Sequence, residues 1–165
     1  MNRIKKIVFA ALAAAALTGA AGAAHLDRPV QGSSSVSAGI RSSSAASEVV
    51  RLTNSARSQN GYAALVEDGA LSDAVAVRAR EIARSFSHTR PSGASFSSAL
   101  SESGVTYLRA GENIASGQKS ASEVVNAWMN SPGHRANILN SSYSRIGSAS
   151  VNIDGTLYWV QLFAD

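Results

Sequence analysis

Apolar residues recur at helical spacing through the first part of the chain beyond residue 45 and at strand spacing near its end. Ala46 to Ser58 carries Val49, Val50, Leu52 and Ala56 on one side, with Asn54 and Arg57 as polar exceptions, and Asn60-Gly61 then breaks the segment. Leu71, Val75, Ala79, Ile82 and Phe86 recur at steps of four or three, which predicts a helix over 71–86 with Arg78, Glu81 and Arg84 off the apolar stripe. Pro91 and Gly93 mark a loop, and Ser95 to Ser103 reads as a short helix. Leu108 to Ala115 has weak strand character. Ser120-Ala121-Ser122-Glu123 has the form of a capping box, in which the serine and glutamate side chains satisfy exposed amides reciprocally. The helix it opens sends Val124, Val125, Trp128 and Met129 toward a core. Ser131-Pro132 starts another short helix, because serine caps and proline suits the first helical position.

The chain closes with a hairpin. Arg145 to Ile153 and Thr156 to Phe163 flank Asp154-Gly155, a favoured two-residue turn. Leu157, Trp159, Gln161 and Phe163 share one face and Tyr158, Val160 and Leu162 the other. Apolar groups on both faces call for cover on both sides. The expected fold class is therefore α+β, a three-layer α-β-α sandwich with a small antiparallel sheet between helices. Trp128 and Trp159 lie on regular apolar patterns and are expected in the core.

The opening residues change the picture of where the protein works. Arg3, Lys5 and Lys6 precede an apolar run from Ile7 to Leu17 and small residues to Ala24, the pattern of a secretory signal peptide over residues 1–24. The run is about half the length that a permanent membrane-spanning helix needs, so no permanent membrane anchor is expected after signal cleavage. Residues 25–44 are rich in Ser and Gly and read as a flexible linker, leaving 45–165 as one domain. The chain has no cysteine, which excludes disulfides and lipid attachment through cysteine. Its net charge of +4 is mostly the leader's: without those three residues 12 basic groups face 11 acidic ones. No basic run suited to nucleic acid occurs. The expected location is secreted or periplasmic.

Candidate chemistry is concentrated in two polar islands. Two of the three histidines, His88 and His134, lie in Ser87-His88-Thr89 and in Pro132-Gly133-His134-Arg135, and Gly111-Glu112-Asn113-Ile114-Ala115 supplies a carboxylate. Two imidazoles and a carboxylate that converge can bind a metal or move a proton. Each also has a structural reading. His88 ends a helix, where an imidazolium suits the dipole. His134 sits in a helix's first turn, where the dipole lowers its pKa and keeps the neutral ring. Glu112 can brace loops, with Asn113 beside it in a hydrogen-bonding role. Ser131 reads as a helix cap before a nucleophile, and no Gly-x-Ser-x-Gly elbow occurs. Arg135 can grip an anion or pair with an acid.

These islands, in their order and spacing, carry a resemblance. With Asn54 and Arg57 on the first helix, Trp128-Met129-Asn130-Ser131-Pro132-Gly133-His134-Arg135, Asn137-Ile138-Leu139 and Tyr158-Trp159-Val160-Gln161-Leu162-Phe163, the chain resembles the CAP superfamily over residues 48–163. That group comprises cysteine-rich secretory, antigen 5 and pathogenesis-related 1 proteins, whose shared unit is also called the SCP domain; the likeness is to small bacterial secreted members. The resemblance implies an α-β-α sandwich and a cleft tetrad of two histidines and two acids, occupied in some members by a divalent metal such as zinc. His88, Glu112 and His134 match three of the four positions, and Ser131 stands where the second acid falls.

The expected function is an extracellular or periplasmic binding module whose cleft holds a divalent metal through His88, His134 and Glu112. The partner is then a small ligand, a lipid or a protein. Two alternatives stay open: a metal-assisted, peptidase-like hydrolase, with His88, Glu112 and His134 as catalytic candidates, and a structural cell-surface interaction protein in which these residues only brace loops.

Overall fold

The computed structural model describes residues 45–165, so the leader and linker expected over 1–24 and 25–44 lie outside the described residues. Helices α1 (Ala45–Gln59), α2 (Gly69–Arg84), α3 (Ser97–Glu102), α4 (Ala121–Met129) and α5 (Pro132–Ile138) cover a sheet of β1 (Val66–Glu67), β2 (Ala110–Ser116), β3 (Arg145–Ile153) and β4 (Thr156–Ala164). The four strands lie in the order β1-β3-β4-β2. β4 is antiparallel to both β2 and β3, while the two-residue β1 runs parallel to β3.

The two-sided pattern of β4 decides the layers. Trp159 and Phe163 pack with Val49, Val124, Trp128 and Ile138 from α1, α4 and α5. Val160, Leu162 and Ala164 pack on the other face with Leu71, Val75, Ile82 and Leu100 from α2 and α3. The fold is the three-layer sandwich that the sequence leads one to expect. Asp154 and Gly155 both have positive φ (50° and 81°), the geometry of the tight hairpin turn that matches strand twist.

Several expectations shift. α2 starts at Gly69, because the Asp68 carboxylate caps it by accepting from the Leu71 N–H at 3.0 Å. It stops at Arg84, before Phe86, which is 53% exposed and not a core position. Leu108 is 91% exposed, since β2 begins only at Ala110. The capping box forms by halves: Ser120 Oγ accepts from Glu123 N–H at 3.2 Å, but Glu123 Oε2 turns to the Lys119 N–H at 2.9 Å. Ser131 holds the cap position of α5 without a side-chain hydrogen bond; proline at the helix start sets the turn unaided. The parallel β1 has no counterpart in the sequence reading, because two residues are too few to show a period.

Candidate functional site

The site is built outward from a buried charge. Arg78 lies on the sheet-facing side of α2 and its side chain is 0% exposed, so its guanidinium must find partners inside the protein. Its Nε donates to Glu112 Oε1 at 2.7 Å and its Nη2 to Glu112 Oε2 at 3.3 Å. Nη1 reaches Glu81 Oε2 at 2.6 Å, and Nη2 also reaches the Ser87 carbonyl at 2.8 Å. Glu81 in turn accepts from Arg90, which extends to Glu102 at 2.6 Å. Burial works against the charge on Arg78, but the carboxylates of Glu112 and Glu81 outweigh it and raise its pKa. Burial likewise opposes ionisation of Glu81, yet Arg90 and Arg78 hold its pKa below the ordinary value. The loop carrying His88 is thus pinned at Ser87 on one side and Arg90 on the other.

β2 delivers the next layer by its alternation. Glu112 points to the α2 side, and Asn113, one residue on, points to the α5 side. Glu112 Oε2 lies 2.7 Å from His88 Nδ1. Asn113 Nδ2 donates to the backbone carbonyl of His134 at 3.2 Å and to Gln161 Oε1 at 3.3 Å. Asn137 Nδ2 closes the net on Asn113 Oδ1 at 2.9 Å and on the Glu112 carbonyl at 3.1 Å. Adjacent residues of one strand therefore hold the two histidines, one by its ring and one by its backbone.

An ionised carboxylate can only accept, so the Nδ1 of His88 carries a proton in that contact; in the neutral ring Nε2, on the side away from Glu112, is then the nitrogen with the lone pair. The His88 side chain is 56% exposed. His134 is half-buried; burial, and then the charge of the nearby His88, lower its pKa and favour the neutral ring. The direction agrees with the sequence reading, and burial and the second imidazole are causes that the structure adds.

The structure thus joins His88 to Glu112 directly and sets His134 close enough to feel His88, while the Glu112 oxygens are turned to Arg78 and His88. Among the described residues, no group of three or more His, Cys, Asp or Glu is assembled to hold a metal ion. What the cleft presents is a pair of imidazoles, with the Glu112 carboxylate set between Arg78 and His88. Arg135 donates to Asn60 Oδ1 at 3.1 Å and not to an acid. Beside His134 opens a cavity of about 320 Å³, lined by Phe86, Ala127, Trp128 and Ser131 among others.

Arg78, Glu81 and Asn137 escaped the sequence reading as partners of the site. The expectation that Arg78 lies off the apolar stripe is corrected: counted from Leu71 it falls seven places on, between Val75 and Ile82, on the stripe itself, and its side chain is buried. A charge on such a stripe needs a buried partner of opposite sign, which points to an acid elsewhere in the chain.

The family model described as CAP, the cysteine-rich secretory protein family, matches residues 50–163. The protein YkwD of Bacillus subtilis is 41% identical over 118 residues, which cover 70% of this chain and 45% of YkwD. The membrane protein YlbC of the same organism is 32% identical over 113 residues, covering 67% of this chain and 32% of YlbC. The chain spans less than half the length of these curated relatives. A solved extracellular SCP-domain protein of Bacillus anthracis is 27% identical with a TM-score of 0.66, covering 72% of this chain and 39% of its own. An outer surface protein of Borrelia burgdorferi, 24% identical with a TM-score of 0.66 over 71% of this chain and 89% of its own, shares the fold. Among the described residues no helix is long and apolar enough to cross a membrane.

Proposed function

The chain belongs to the CAP family of cysteine-rich secretory proteins, and on that premise we propose that it acts outside the bacterial cytoplasm as a binding module whose cleft holds a divalent ion between His88 and His134. The observation that carries this reading is the 2.7 Å contact of His88 Nδ1 with Glu112 Oε2, itself fixed by the buried Arg78. A carboxylate behind an imidazole sets the tautomer, fixes the ring and makes its other nitrogen a better donor. The lowered pKa of His134 keeps its lone pair available as well. A zinc ion bound there supplies a Lewis-acidic centre with open positions for a ligand atom. The extracellular description of the solved Bacillus anthracis relative supports export.

Hydrolysis asks for a carboxylate free to take a proton from water. Glu112 has both oxygens engaged, and Ser131 occupies the place where the family resemblance puts a second acid. Bracing is compatible with binding, because Arg78 and Glu112 hold the His88 loop while leaving its Nε2 outward. Calorimetric titration of the protein with zinc tests the proposal. A site that disappears in a His88→Ala, His134→Ala double variant with unchanged melting is the expected result; identical binding by that variant rejects it.

A further inference from the structure

β2 is the last strand of the sheet and has β4 on one side only. In an antiparallel pair a residue turns its N–H and C=O to the same side, alternately toward and away from the partner. The Gly117 N–H donates across the ladder to the Leu157 carbonyl at 2.8 Å, so the odd-numbered positions face β4. The carbonyls of Glu112 and Ile114 point the other way, where Asn137 Nδ2 and Trp128 Nε1 cap them at 3.1 and 3.4 Å. The N–H groups of Ile114 and Ser116 therefore also point away from the sheet, and no acceptor for them occurs among the described residues.

Ile114 and Ser116 line the same 320 Å³ cavity as Phe86, Ala127 and Trp128. Gln118 stands in that wall too, and its Oε1 is closed to solvent with no hydrogen-bond partner among the described residues. Two backbone donors without a partner among the described residues thus meet an apolar hollow at one strand edge.

We propose that this edge takes an extended peptide segment of another protein, added to β2 as a further strand, with one apolar side chain seated in the cavity against Phe86 and Trp128. Strand addition draws affinity from main-chain hydrogen bonds and selectivity from pockets for alternate side chains. The peptide carbonyls meet the N–H groups of Ile114 and Ser116. A lipid tail in the same place would bury those donors unpaired, which costs more than its apolar contact returns. The volume is near the lower end for a ligand site and suits a single side chain. The inference names the ligand class of the binding-module reading and rests on it, but not on the metal.

The test uses amide NMR of the full chain, in EDTA, against a pool of capped hexapeptides at millimolar total concentration. Every member shares the backbone groups that bind, so the whole pool counts as ligand. The Ile114 and Ser116 amide signals should move as the pool is added. Ser116→Pro removes an edge donor that the ladder does not use, and Ala127→Phe fills the cavity from an exposed helix position. Each should weaken binding about tenfold or more while melting stays put. Unmoved Ile114 and Ser116 amides, or full binding by both variants, overturns the proposal. So does a response of those amides to phosphatidylcholine vesicles but not to peptide. Because EDTA is present throughout, loss of zinc binding leaves this result unaffected.

Discussion

Arg78 and Glu112 meet through a 2.7 Å Nε–Oε1 hydrogen bond with both side chains fully shielded from solvent, and this pair fixes the ring of His88 through the second carboxylate oxygen. A buried pair of this kind stabilises less by its own attraction than it destabilises when halved, because the survivor is an uncompensated charge. Arg78→Leu should cost about 3–5 kcal/mol in urea unfolding. Adding Glu112→Leu to it should recover much of that loss, since the buried carboxylate left unpaired is then gone and Glu81 keeps Arg90 as its partner. Single and double variants with equal, additive losses would show that the two groups are not coupled.

Much of the fold could be read from residue patterns because its signals are local. The 71–82 stripe, the Asp154-Gly155 turn and the double-sided β4 each declare themselves within a dozen positions. His88, Glu112 and His134 stood out as rare polar groups within matched motifs. What stayed hidden was who holds whom. Arg78 is 34 residues from Glu112 and Asn137 is 24 from Asn113, and such pairings exist only once the sheet has brought distant segments together. Phe86 was misjudged for a different reason: helical spacing persists through it, but the backbone leaves the helix at Ser85 to bring Ser87 onto Arg78.

The half-buried His134 gives stability a pH dependence of known sign. Its pKa is lowered in the folded protein by burial and by His88, whereas the unfolded chain has a value of about 6.5. Well above that value the ring is neutral in both states and contributes no penalty. As pH falls through about 6.5 the unfolded chain takes up the proton first, so stability declines until the folded pKa is passed. Asp68, Glu81 and Asp165, with lowered values, lose their contributions only below about pH 4, a separate window. Denaturant midpoints measured in EDTA between about pH 5 and 7 should rise with pH in the native protein and stay flatter in His134→Gln. Equal slopes would show that the ring titrates alike in both states.

At Gly147 on β3 the α2 backbone lies close against the sheet. A Cβ there would meet the Leu71 backbone at 2.7 and 2.8 Å, and backbone cannot rotate aside. At Gly111 the obstacle is the Tyr143 hydroxyl, at 2.7 Å, the end of a side chain. Gly147→Ala should therefore cost about 1–3 kcal/mol, and Gly111→Ala less. Thermal melting of the two variants checks this ranking, and a milder loss at Gly147 would refute the packing argument.

The cleft itself is tested most directly by nitrogen-15 NMR of the imidazoles during zinc addition. At neutral pH, His88 should show Nδ1 protonated and Nε2 bare before metal arrives. Zinc should then shift His88 Nε2 and a ring nitrogen of His134 together, with the same stoichiometric end point. His88 protonated at Nε2, or zinc that moves one ring and leaves the other unchanged, would contradict a shared ion held by an oriented pair.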